Sequence, residues 1–130
     1  MNVYEKQIMV TEAHLDAMQH VNNVTYLQWV QDVARDHWEH LISEEERTKY
    51  AWVVLDHFIE YKQSALLGDT VLVRTYVAGS QGATSVRIVE MYRGDGEILL
   101  AKAKTTWCLL NRENLRPARI PEKIMHFFAS

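Results

Sequence analysis

The sequence predicts an α+β fold, one long central helix wrapped by an antiparallel sheet, on three observations. Apolar residues at Val24, Leu27, Val30, Ala34, Trp38 and Leu41 step by three and four, which draws one stripe along a helix. Beyond residue 50, four segments rich in Val, Ile, Thr and aromatics follow one another: Trp52 to Tyr61, Thr70 to Ala78, Ala83 to Arg93 and Glu97 to Leu110. Short glycine-bearing turns separate them, so consecutive strands are expected to run antiparallel. A helix followed by a run of strands, rather than alternation of the two, is the α+β pattern.

The elements can be justified in order. Lys6 to Val10 is a short extended segment with Ile8 and Val10 on one side. Glu12 to Val21 holds no period and reads as a loop. The long helix follows an Asn pair, Asn22-Asn23, and stops near Ile42. Ser43 before Glu44-Glu45-Glu46 is a new N-cap with an acidic first turn; as a charge run it is a solvated face. Gly68-Asp69, Gly79-Ser80-Gln81-Gly82 and Arg93-Gly94-Asp95-Gly96 punctuate the strands as turns. Pro121 to Phe128 suits a last short helix with Pro121 at its first turn. Burying the helical stripe requires the sheet to wrap the helix.

The 130 residues suffice for one domain, taken here as 1–130, with a core but not for two. Apolar residues at 48% and charged residues at 24% fit a globular protein. A net charge of −3 disfavours nucleic acid as a partner. No apolar run reaches membrane-spanning length, and the first residues lack a leader's apolar core, so neither a membrane nor export is expected. Cys108 is the single cysteine and has no disulfide partner within the chain. A reducing cytoplasm is the natural location.

The most telling stretch runs from Asp16 to Tyr26. A carboxylate stands a few residues before the Asn pair, and the helical pattern starts directly after it. Asn caps helices, because its side-chain oxygen accepts an unpaired N–H of the first turn. The free N–H groups and positive dipole end of a helix start attract developing negative charge. A carboxylate beside such a start offers a nucleophile or base together with an oxyanion hole, the two halves of an acyl-transfer site.

This stretch resembles the Asp-x-x-Gly-His-Val-Asn-Asn-x-x-Tyr signature of hotdog-fold acyl thioesterases of the 4-hydroxybenzoyl-CoA thioesterase type. Gln19 to Trp29 also resembles, without a gap, the Gln-His-Val-Asn-Asn-Val-x-Tyr-x-x-Trp variant of plant acyl-carrier-protein thioesterases. The likeness continues in Ile59-Glu60-Tyr61, in Leu67-Gly68-Asp69 and from Arg116 to Pro121, so it covers nearly the whole chain. It implies a hotdog fold, a dimer with a continuous sheet and active sites at the dimer interface. The expected partners are an acyl-CoA or acyl-carrier-protein thioester and a second copy of the chain, as homodimer or homotetramer.

The resemblance assigns roles residue by residue. Asp16 becomes the nucleophile or general base, His20 orders the acyl carbonyl or the site, and the Asn23 N–H is the oxyanion donor. Asn22, Tyr26 and Gln63 become substrate-binding residues. Each has a plainer alternative: Asp16 as a turn cap, His20 bonded to backbone, the two Asn as helix caps and Tyr26 as core. There are departures. Gln19 replaces the family Gly, as in the plant enzymes; Met18 replaces their Asn, Gln63 their catalytic Glu, and His14 an Asp of many relatives. A Gln can hold a water but cannot accept its proton, which favours a single-Asp mechanism.

A thioester is already activated and its thiolate leaves readily, so no cofactor and no metal are expected. His37 and His40, three apart on the helix, lack further ligands at zinc spacing and are expected to be exposed. Cys108 within a strand pattern reads as a small hydrophobe. Arg87, Lys102, Lys104, Arg112, Arg116 and Arg119 are candidate cations for the phosphates of coenzyme A. The expected function is an acyl-CoA thioesterase. An acyl-carrier-protein thioesterase and a non-catalytic acyl-thioester-binding hotdog protein are the alternatives.

Overall fold

The structure, a computed structural model, describes residues 1–94 and 96–130. Its elements in chain order are β1 (Val3–Met9), a short 3-10 turn (Glu12–His14), α1 (Asn23–Leu41), α2 (Glu44–Arg47), β2 (Tyr50–Tyr61), β3 (Thr70–Gln81), β4 (Thr84–Arg93), β5 (Ile98–Asn111) and α3 (Glu122–Ala129). The five strands form one antiparallel sheet of order β1-β3-β4-β5-β2, with α1 lying across it. This is a hotdog fold. Among the described residues no helix is long and apolar enough to cross a membrane.

Most boundaries fall within two or three residues of those the sequence predicts. Ser43 Oγ accepts the Glu46 N–H at 3.3 Å, and Pro121 stands at the N-cap of α3 rather than inside it. The predicted turn at residues 79–82 shrinks. β3 continues through Gln81, which pairs with Thr84, and only Gly82 and Ala83 make the bend. Gly82 supplies the required φ of +61°. In the predicted 93–96 turn, Asp95 lies outside the described residues.

Two features stand apart from the sequence expectations. First, β2 and β3 run antiparallel, as expected of consecutive strands, yet they do not pair with each other. β2 instead closes the sheet beside β5, with Ile59 opposite Ala103 and Tyr61 opposite Ala101. The residues 62–69 that join β2 to β3 therefore pass along one end of the sheet, next to the start of α1. Second, the buried face of α1 is rotated from the predicted stripe. It is made of Tyr26, Trp29, Val30, Val33, Ala34 and His37, whereas Val24 is 70% exposed. The aromatic residues at 26 and 29 carry more area than the aliphatics at 24 and 27, and the helix turns them inward.

The core divides along α1. Near the helix start Tyr26, Trp29, Val30 and Val33 pack on Val71, Val73, Val89, Met91, Leu100 and Ala101. Past its middle, Ile42, Val77, Leu109 and Ile120 pack with Ile124 and Phe128 of α3. Between the two clusters lies a polar strip. His37, expected on the surface, is fully buried there. Arg87 Nη1 donates to His37 Nδ1 at 2.8 Å, so the imidazole accepts at Nδ1 and carries its hydrogen on Nε2, which donates to Asn2 Oδ1 at 2.8 Å. Burial, then the nearby Arg87 charge, lower the His37 pKa to about 4. Cys108 is a buried free thiol, as a small hydrophobe should be.

Candidate active site

The loop before α1 is built around Asp16. Its Oδ1 accepts the N–H of Met18 at 2.8 Å and of His20 at 3.1 Å, and its own N–H donates to the His20 carbonyl at 2.8 Å. The loop closes through Gln19, whose φ of +63° lies in the left-handed region that favours glycine. That conformation accounts physically for the glycine in the resembling signature. Asp16 is half-buried and His20 exposed. Asp16 fills the turn-cap role through Oδ1, which takes both amide bonds, while Oδ2 takes none from the described residues.

The helix start is tied to that turn. Asn22 is the N-cap, and its Oδ1 accepts the Val24 N–H at 3.0 Å. The Asn22 N–H donates to His14 O at 2.8 Å, and Leu15 bridges Val21. Asn23 is the first helical residue, and its N–H has no partner among the described residues. The structure thus separates the two Asn: Asn22 caps, and the amide of Asn23 is left open at the positive end of a 19-residue helix.

The second loop, residues 62–69, is clipped to the first. The Val21 N–H donates to Ala65 O at 3.1 Å, and His20 bridges Leu66. Tyr26 is buried in the core with its ring edge-on to Trp29 and to Tyr61, and its hydroxyl accepts the Ala65 N–H at 2.9 Å. Burial raises its phenol pKa. Tyr26 holds this loop in place from beneath. Gln63 lies exposed in the same loop, with Oε1 3.5 Å from Arg93 Nη1.

Sequence reasoning missed Arg93. Its guanidinium donates to Asp69 Oδ2 at 3.0 Å and to Ser64 O at 2.8 Å, while Asp69 Oδ2 also accepts the Leu66 N–H at 2.9 Å. These bonds stiffen the loop that abuts His20. The one local signal was the Leu67-Gly68-Asp69 run; Arg93 sits 24 residues beyond Asp69, with nothing local to join them. The phosphate-cation set also needs correction. Arg87 is buried under α1 and does not face solvent, Lys102 stands opposite Glu60 and Glu90, and Arg112 donates to Tyr50 O at 2.9 Å. Lys104, Arg116 and Arg119 remain exposed.

Taken together, the structure gathers Asp16, His20, Asn22 and Asn23 into one loop and helix start, with the loop of Gln63 beside them and Tyr26 below. The arrangement offers a fixed carboxylate and an unpaired helix-start amide. Those are the groups an attack on an activated carbonyl requires.

The family described as acyl-ACP thioesterase N-terminal domain matches residues 1–128. Among individual proteins, the chain is similar to the long-chain acyl-CoA thioesterase FadM of Escherichia coli (strain K12), with 31% identity over 84 residues. That match covers 63% of this chain and 64% of the relative, so it spans just under two thirds of that protein. YneP of Bacillus subtilis (strain 168) is 29% identical over 121 residues, covering 90% of this chain and 86% of the relative. Among solved structures, Slr0204, a 1,4-dihydroxy-2-naphthoyl-CoA thioesterase from Synechocystis, superposes with a TM-score of 0.85 at 18% identity, covering 99% of this chain and 97% of the other. At that identity the likeness is one of fold.

Proposed function

The chain belongs to the acyl-ACP thioesterase N-terminal domain family, and from that premise we propose that it is an acyl-CoA thioesterase. It hydrolyses R–CO–S–CoA to the free acid and coenzyme A. The observation that carries this reading is Asp16, whose Oδ1 is pinned by two backbone amides while Oδ2, like the Asn23 N–H one short loop away, has no partner among the described residues.

Asp16 either attacks the thioester carbonyl itself or takes a proton from the water that does. In both routes the carbonyl oxygen becomes an oxyanion, and the Asn23 N–H with the helix dipole stabilises it. The C–S bond then breaks, and the thiolate leaves and is protonated from solvent; in the nucleophilic route water then hydrolyses the acyl anhydride on Asp16, which frees the acid and regenerates the carboxylate. His20 orders the acyl group at the mouth of the site, and Asn22 shapes the helix start as its cap. Gln63 positions substrate or water without accepting a proton. Coenzyme A is preferred as carrier because FadM and YneP both carry acyl-CoA thioesterase names. The family's own name makes acyl-carrier protein the second reading.

The functional unit is a homodimer, or a tetramer built from dimers. Support comes from β2, an edge strand with an unpaired outer side, where Leu55 is 57% and Phe58 64% exposed. The chain acts as one domain, 1–130.

The test is free-thiol release from a panel of acyl-CoA and acyl-carrier-protein thioesters, with wild type beside Asp16→Asn. Asn keeps the Oδ1 acceptor and hence the turn, but is a poor nucleophile and base. Turnover is expected to fall at least ~100-fold with the fold intact by circular dichroism, and Gln63→Ala to cost less. A folded Asp16→Asn protein within a few-fold of wild type would refute the mechanism. Thioester binding without hydrolysis by wild type would refute the enzyme reading.

A further inference from the structure

A cavity of about 200 Å3 lies under the second half of α1, between that helix, the β4–β5–β2 side of the sheet and α3. Trp38, Trp52, Trp107 and Phe128 form apolar walls, and Ser85 and Arg87 contribute polar groups. Its helical wall begins at Gln31, eight residues beyond Asn23 and so roughly 12 Å along the axis from the helix start. None of its residues serves the loop around Asp16.

Arg87 is the unusual member. It is 5% exposed, yet no ion pair among the described residues includes it. Nη1 donates to His37 Nδ1 at 2.8 Å and to Thr75 Oγ1 at 3.1 Å, and both acceptors are neutral. The Phe128 ring, 6.0 Å from Cζ, offers a partial counterweight through its π face. A buried cation without a counter-charge is costly, and a buried anion beside it removes that cost. Trp107, another residue of the cavity wall, has its indole N–H buried with no partner among the described residues. Ser85 Oγ takes the Ser80 hydroxyl at 3.2 Å and keeps its own hydrogen to donate.

We propose that this cavity binds an organic carboxylate with a single-ring aromatic or short aliphatic body, its anionic end on Arg87 and the Trp107 indole N–H. The chemistry selects this class. A carboxylate only accepts hydrogen bonds, matches the guanidinium fork and has lone pairs left for an indole donor. A neutral apolar ligand would fill the walls and leave the charge unanswered. An apolar cavity of ~150 Å3 accepts benzene, so about 200 Å3 suits one ring and its carboxylate. Two sources share this chemistry: a free acid, or the far carboxylate of a long acyl chain held at Asp16. The second rests on the thioesterase reading; the first does not.

Three of the four tryptophans line the cavity, so their fluorescence reports occupancy without turnover. Benzoate and hexanoate are titrated at neutral pH against benzamide and hexanamide. Saturable binding of the acids, with the amides at least ~10-fold weaker, is the expected result. Arg87→Met replaces the charge by an apolar chain and should abolish the preference. Trp107→Phe, which keeps an aromatic wall, should weaken acid binding several-fold. Equal binding of acid and amide, no binding of either acid, or full acid binding by folded Arg87→Met overturns the proposal. If Arg87→Met does not fold, the acid–amide comparison and Trp107→Phe still decide it. A kcat/KM preference for ω-carboxyacyl-CoA over the unsubstituted acyl-CoA, with free acid competing, identifies the acyl chain as the source. Acid binding without that preference identifies the free acid. Loss of all hydrolysis would overturn the thioesterase reading alone, because the fluorescence titration stands without it.

Discussion

Asp16 Oδ1 accepts the N–H of His20 at 3.1 Å across a turn that closes only because the intervening Gln19 adopts a φ of +63°. The carboxylate is therefore oriented by backbone geometry rather than by another side chain. The turn in turn feeds directly into the helix cap at Asn22.

Gln19→Gly should relieve that turn. A left-handed non-glycine residue costs ~1–2 kcal/mol, and glycine's extra chain entropy returns ~0.5–1 kcal/mol of it. The expected net effect is a gain of up to ~1.5 kcal/mol, read as a small rise in midpoint on chemical denaturation. A clear loss of stability would show that the Gln19 side chain makes a contact the turn depends on.

Asp16→Asn and Asp16→Ala should part company in stability. Asn retains an acceptor for the Met18 and His20 amides. Ala loses both bonds, at ~0.5–1.5 kcal/mol each in this partly exposed turn. Urea midpoints for the two variants measure the difference. Equal midpoints would mean that the turn is held by Gln19 and the chain bridges alone.

Tyr26→Phe should destabilise by ~1–3 kcal/mol, because it strips a buried backbone N–H, that of Ala65, of its acceptor. The 62–69 loop should loosen with it. Amide exchange at Ala65 and Leu66 is expected to accelerate more than exchange in β3, and uniform acceleration would place the role of Tyr26 in the core alone.

The pH dependence of stability should carry a His37 signature. Its folded pKa, about 4, lies below the unfolded value of 6.5, through burial and then the Arg87 charge. The folded state thus holds fewer protons than the unfolded state between those values. The contribution is complete above pH 6.5 and is lost as pH falls toward 4. Denaturation at stepped pH should show this fall in wild type and a flatter curve in His37→Gln, whose amide oxygen can still accept from Arg87. Parallel curves would mean that His37 exchanges its proton freely in the folded state.

Leu55→Glu should weaken self-association. Leu55 is the bulged, exposed residue on the free edge of β2, and a charge there opposes strand-to-strand contact. Light scattering should report a smaller species than wild type. A wild-type chain that is a stable, active monomer would contradict the oligomer itself.

What the sequence determined by itself was local. Asn22 before an apolar helical period marks the N-cap, Ser43 before three Glu marks the next one, and runs of β-branched residues mark the strands, because each signal acts within one turn or one pleat. The Asp16–Tyr26 stretch was legible for the same reason, since the bonds that the Asp16 and Asn22 side chains accept reach four residues or fewer. Only the tertiary structure decided which strand β2 joins, which face of α1 turns inward, and that His37 and Arg87 are buried as a pair 50 residues apart. It also decided that Arg93 braces the loop beside His20. Pairings between distant segments depend on the area that two surfaces bury once brought together, and periodicity along one segment carries no record of the surface it will meet.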